Sequence, residues 1–263
     1  MSASLSASLF TILNTAVLLV VIFRAARLIE SSGRSMTAVF FTFAAVSLLV
    51  SNLYWIAYDL MRPGTRMPFA ANELGEWAAF LLLSTTLLCA LRERFGEAGK
   101  EMLCAGAFVA ASTVLWIAWS GEWAQDILTG VAFGYLVCTA VRAMKLANAL
   151  ARWEWRALGL GAGLLILVQS AIFFVPRQMK LPLDLICYAL MYLGILFFFG
   201  KVIREGRQAA RPDALLALSF GGYAWGISSL YMSEGYFYLG AFLSIIVIQL
   251  FMLHAVRREV EAA

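Results

Sequence analysis

The sequence predicts an all-α polytopic integral membrane protein of about nine transmembrane helices, and three observations predict it. Of its 263 residues 62% are apolar and only 14% charged, with a mean hydropathy of +0.83. A water-soluble globule of that composition would leave more apolar surface than its polar residues can cover, whereas lipid accepts it. Nine apolar runs approach the roughly 20 residues that cross the hydrocarbon of a bilayer. Lys and Arg, finally, gather almost entirely in alternate loops.

The runs lie at about 7–28, 36–61, 70–92, 102–120, 124–146, 156–175, 182–203, 213–231 and 236–256. Residues 1–10 lack the basic stretch of a signal peptide, so the first span is expected to be retained. Pro63-Gly64 and Pro68 break the second span from the third, and Ser120-Gly121 the fourth from the fifth. Pro176 and Pro182 bracket the start of the seventh, Pro212 opens the eighth, and Ser233-Glu234-Gly235 precedes the ninth.

With these spans, every Lys and Arg except Arg62, Arg66, Arg177 and Lys180 falls on one side, sixteen against four. By the positive-inside rule the N-terminus is expected outside and the C-terminus in the cytoplasm, in a membrane read as a prokaryotic cytoplasmic membrane. One span more or fewer would mix the two sets. Trp55, Trp77, Trp116, Trp119, Trp123 and Trp225 fall in outer halves of spans, with Trp153 and Trp155 at the inner boundary, as an interfacial aromatic belt would place them.

The whole chain, 1–263, reads as a single transmembrane domain with a weak internal repeat. Phe23-Arg24-Ala25-Ala26-Arg27-Leu28 returns as Val141-Arg142-Ala143-Met144-Lys145-Leu146, and Ser120-Gly121-Glu122-Trp123 as Ser233-Glu234-Gly235-Tyr236. Pro63, Arg66 and Pro68 ahead of Glu73 likewise match Pro176, Lys180 and Pro182 ahead of Asp184. These offsets suggest a parallel 4+4+1 arrangement, 7–120 and 124–231 with a closing helix at 236–256, and parallel repeats commonly enclose a site between the halves.

Polar groups at membrane depth are the candidates for function, because lipid rejects them unless something holds them there. The stretch from Asn52 to Trp77 concentrates them. Asn52, Trp55 and Asp59 share one face of the second span, beside the i, i+4 pair Tyr54 and Tyr58. Glu73 and Glu76 share a face of the third, and at 1.5 Å per residue Glu76 lies roughly 10 Å along the helix from Phe69. Asp126 of the fifth span and Asp184 and Tyr188 of the seventh complete an outward pocket of carboxylates and aromatic faces. Several of these acids have a structural reading too: Glu73, Asp126 and Asp184 start helices, where free backbone N–H groups and the helix dipole favour a carboxylate. Asp59 instead ends a helix and needs a cation, for which Arg62 or Arg66 is at hand.

Absences narrow the chemistry. The single histidine, His254, rules out bis-histidine haem, a three-histidine zinc site and an H-E-x-x-H protease. No phosphate-binding loop or nucleophile elbow occurs, and Gly159-Leu160-Gly161-Ala162-Gly163 is expected to serve close helix packing. Cys89, Cys104, Cys138 and Cys187 sit inside spans without metal or disulfide spacing and read as small core residues. Neither metal nor cofactor is expected, nor is nucleic acid, since the basic residues face the level of anionic lipid heads. Three functions fit: binding or transport of a small cationic or amphiphilic ligand in the outward pocket, with proton coupling through Glu76; a lipid-modifying enzyme working by paired carboxylates; or a non-catalytic subunit or sensor packed against a membrane partner or its own copy.

Overall fold

Each expected run is a helix in the computed structural model, which describes residues 3–32, 35–62, 71–91, 99–208 and 211–262. Among the described residues the elements are α1 (Ala3–Ser31), α2 (Met36–Met61), α3 (Ala71–Ala90), α4 (Lys100–Ser120), α5 (Trp123–Leu146), α6 (Arg152–Ile172), α7 (Arg177–Gln208), α8 (Pro212–Tyr231) and α9 (Gly235–Ala262), with no strand. Eight of the nine are long and apolar enough to cross a membrane, so the chain is a multi-pass helical membrane protein. Pro63, Gly64, Arg66 and Pro68, expected to form the first hairpin, lie outside the described residues, as do Arg34, Arg92 and Arg94.

Two boundaries differ from expectation for local reasons. The sixth helix starts earlier, at Arg152, because the Glu154 carboxylate accepts a hydrogen bond from the Ala151 N–H at 2.8 Å and so caps its own first turn. The seventh starts at Arg177 rather than at Pro182, which lies inside it; a proline this close to a helix start removes only one backbone hydrogen bond.

The eighth expected span, α8, is the one outside that set of eight, and its surroundings set it apart. Consecutive contacts run α1–α2–α3–α5–α4–α6–α7–α9 and back to α1, a closed ring, and α8 packs within it on α9, α7, α5 and α3. Fifteen of the 20 residues of α8 are buried, against three of 21 in the lipid-facing α6. A helix screened by its neighbours does not have to be apolar to the standard of a lipid-facing one, so α8 carries Ser219, Tyr223, Ser228 and Ser229 in its buried set. Ser219 and Ser229 donate back to the carbonyls of Leu215 and Trp225, at 2.8 and 2.9 Å.

Small residues let the ring close on α8. A Cβ at Gly222 would press on Phe198 and Ile248, and one at Gly194 of α7 would overlap the indole of Trp225. That indole N–H donates to the Met191 carbonyl at 2.9 Å. Trp225 is therefore a core residue rather than a member of an interfacial belt. Trp77, Trp116 and Trp155 also pack against the core, and only Trp55, Trp119, Trp123 and Trp153 are exposed.

The two ends of the bundle differ in chemistry. At the basic end Lys201 of α7 meets the buried Glu154 of α6 at 2.5 Å, and Lys145 of α5 meets Glu101 of α4. There too the Arg211 guanidinium donates to the carbonyls of Ala147 and Asn148, capping the end of α5. At the carboxylate end α4 turns into α5 through Gly121, held at φ 76° where a side chain would be strained. The helices that the 4+4+1 repeat would equate, α4 and α8, occupy different positions, one in the ring and one inside it.

Two substitutions test this packing by thermal unfolding in detergent. Gly194→Val is expected to destabilise by about 1–3 kcal/mol through overpacking against Trp225. Lys201→Met, which strands the Glu154 carboxylate, is expected to cost about 3–5 kcal/mol, while Lys145→Met, at a half-exposed pair, costs at most about 1 kcal/mol.

Candidate functional site

At the carboxylate end the polar side chains converge on Glu76. The residue before it, Gly75, lets α3 approach α2 so closely that an added Cβ would stand 2.9 Å from the Ser47 carbonyl oxygen and 3.1 Å from the Ser51 Cβ. This contact brings the Ser51 hydroxyl onto the Glu76 carboxylate. From the end of α8 the Tyr231 hydroxyl donates to Glu76 Oε2 at 2.9 Å. Tyr223 of α8 and Tyr238 of α9 lie within electrostatic reach of the same carboxylate.

The Tyr231 ring is itself held edge-on by Trp116 of α4, 5.2 Å between centroids, and by Phe133 of α5 at 6.4 Å. Four helices thus fix one hydrogen bond. Among the described residues the charged group near Glu76 is Glu73, an acid on its own helix, and no Lys or Arg pairs with it. Glu73 in turn accepts from Gln125 Nε2 of α5 at 3.3 Å, one turn from the Trp77–Thr129 hydrogen bond of 2.9 Å that ties α3 to α5.

Several buried polar atoms in this region lack a partner. They are Asn52 Nδ2 beside Ser51, Asn72 Oδ1 one turn before Glu76, and Trp116 Nε1 against Tyr231. Buried donors and acceptors are almost always satisfied, so an unmatched one marks a place that water or a ligand can complete.

The ten residues expected to line one pocket fall into separate neighbourhoods. Glu76 meets Ser51 of α2, Glu73 meets Gln125 of α5, and the Asn52 amide nitrogen on α2 is buried without a partner. Tyr54 and Tyr58 stack at 6.5 Å on the next two turns of α2, Trp55 is 44% exposed, and Asp59 is already engaged at the helix end. Asp126 takes a hydrogen bond from Ser120, whose oxygen also accepts from the Glu122 N–H, so this acid organises the α4–α5 corner. Asp184 and Tyr188 lie on α7, with the Tyr188 ring parallel to Phe237 of α9 at 4.0 Å. Arg66, one of the two cations considered for Asp59, lies outside the described residues.

A second feature has no precursor among those expectations. A cavity of about 540 Å³ opens between α4 and α6, with α5 and α8 behind it, and none of the ten residues lines it. Gly159 and Gly163 face it, and a Cβ at either would meet nothing within 4 Å. The glycines of α6 therefore do not serve close helix packing; that role belongs to Gly75, Gly194 and the glycines of α8, where neighbouring atoms press in. Cys104, read as a core residue, is exposed on the same cavity. The signal for it was in the sequence as spacing: Trp155, Gly159, Ala162, Gly163 and Ile166 share one stripe of α6.

The fold and the two sites define a multi-pass helical membrane protein with a carboxylate cluster at one end and an apolar cavity toward the other. Comparison with known protein families, curated proteins and solved structures finds no match for this chain.

Tyr231→Phe is expected to remove the strongest donor to Glu76 and destabilise by about 1–3 kcal/mol. Pairing it with Glu76→Gln should be non-additive, since both changes act on one bond, and thermal unfolding of the four proteins of the cycle measures the coupling.

Proposed function

We propose that this chain is a membrane binding or transport protein whose ligand is a small cationic or amphiphilic molecule, with Glu76 as the anionic contact. The observation that carries the reading is a carboxylate at membrane depth held by hydroxyls, with no cation paired to it among the described residues. A charge kept there without a counter-ion is costly unless the carboxylate takes up a proton or a cationic ligand neutralises it. Tyr231, which donates to this carboxylate, and Trp116, packed against the Tyr231 ring, supply aromatic surface beside it of the kind that recognises an organic cation. Unpartnered Asn52 Nδ2, Asn72 Oδ1 and Trp116 Nε1 add polar contacts.

Paired-carboxylate catalysis is the weaker reading, because the acid nearest Glu76 is Glu73 on the same helix rather than an acid facing it from another. In the membrane, the reading places the carboxylate end outside and the basic end in the cytoplasm, within a prokaryotic cytoplasmic membrane. It also keeps the 4+4+1 repeat. In support, the neighbour pairs α2–α3, α3–α5 and α4–α5 recur four helices later as α6–α7, α7–α9 and α8–α9.

Equilibrium binding of tetraphenylphosphonium to the purified protein in detergent tests the assignment. Glu76→Gln is expected to weaken binding at least about tenfold, a loss of about 1.4 kcal/mol, while the variant still unfolds cooperatively. Equal binding by the variant, or no binding by the wild type, overturns it.

A further inference from the structure

We propose that the cavity between α4 and α6 is a binding site for the hydrocarbon tail of an anionic membrane amphiphile, which enters sideways from the leaflet at the basic end. Its size, about 540 Å³, is that of a ligand site rather than a packing defect. Its length fits one leaflet: on α4 the lining runs from Lys100 to Ala111, and eleven residues at 1.5 Å make roughly 16 Å, about half of the ~30 Å hydrocarbon core. The walls are apolar over that length, with Phe108 stacked on Trp225 at 6.3 Å toward the inner end.

Polarity is confined to the two ends of the cavity. At the mouth, Glu101 is matched by Lys145 at 2.5 Å, which leaves Lys100 as the unbalanced charge, with no salt bridge among the described residues. An anionic head group complements it. At the inner end Ser228, 2% exposed, has a hydroxyl with no hydrogen-bond partner that lines the same cavity. A serine in a buried helix ordinarily returns its proton to the preceding turn, as Ser219 and Ser229 do, so Ser228 is the exception within its own helix.

The glycines point to an occupant as well. Gly75, Gly194 and the glycines of α8 admit a neighbouring helix, whereas at Gly159 and Gly163 no protein atom fills the space a side chain would take, and of the glycines that stand open in this way these two line the cavity. A docked partner helix, about 10 Å across, would rest on the outer rim of α4 and α6 and leave the depth beside α8 empty. A single flexible chain fills it. This inference stands independently of the role given to Glu76.

Photo-crosslinking tests it with palmitate carrying a diazirine near the methyl end, added to the full-length protein in detergent. Cross-links are expected on the cavity-lining turns of α4, α6 and α8, to be competed by unlabelled palmitate, and to be competed several-fold less well by hexadecyltrimethylammonium, which has the same tail and the opposite charge. Gly159→Leu and Gly163→Leu fill the cavity and should lower the labelling at least tenfold. Gly161→Leu, on the same helix with open space around it but away from the cavity, should leave it intact, as should Glu76→Gln. All four variants are checked for cooperative unfolding. Labelling spread over the lipid-facing helices without competition, labelling unchanged in both filled variants, or competition by the cationic amphiphile equal to that by palmitate overturns the assignment. So does co-purification of a membrane chain that cross-links to this face in place of the probe.

Discussion

The structure depends on keeping α8 out of lipid. Its serines, glycines and Tyr223 would be poorly solvated by hydrocarbon, and the eight apolar helices around it replace that contact with packed side chains and satisfied backbone. Since lipid is as apolar as leucine, the ring gains little from excluding it. Close approach must supply the attraction instead, which is why the tightest contacts occur at glycines such as Gly194, Gly221 and Gly222. Both sites are consequences of this arrangement. One end of α8 delivers Tyr231 to Glu76, and its middle forms the back of the cavity.

The carboxylate end shows how the same residue type serves different purposes. Asp126 completes a corner with Ser120, and Glu73 links α3 to α5 through Gln125. Those acids spend their hydrogen-bonding capacity on the fold. Glu76 is held by the hydroxyls of Tyr231 and Ser51, with no cation paired to it among the described residues.

Glycine carries two opposite meanings within this one bundle. On α7 and α8 its missing side chain admits a neighbour's ring or methyl group, and removing that vacancy would force the helices apart. On α6 nothing occupies the vacancy, and the result is a recess one leaflet deep.

What the sequence determined by itself was the class of fold and the position of the helices. Runs of apolar residues of the length of a bilayer, separated by Pro, Gly and charge, leave the backbone no way but helices to satisfy its hydrogen bonds in lipid. The observed α2, α4, α5 and α8 accordingly begin and end within a few residues of the expected runs. The gathering of Lys and Arg in alternate loops was legible as well. Only the tertiary structure decided which helix would be central, because helix-to-helix contact depends on shape over long separations, which the run of apolar residues along the chain does not carry. It turned Trp225 from an expected interfacial residue into one packed against the core, set Glu76 against the Tyr231 hydroxyl of α8, and separated the glycines that touch a neighbour from those that touch nothing. Whether a small residue marks a contact or a void is a property of what stands opposite it, and that is set by packing rather than by spacing along one helix.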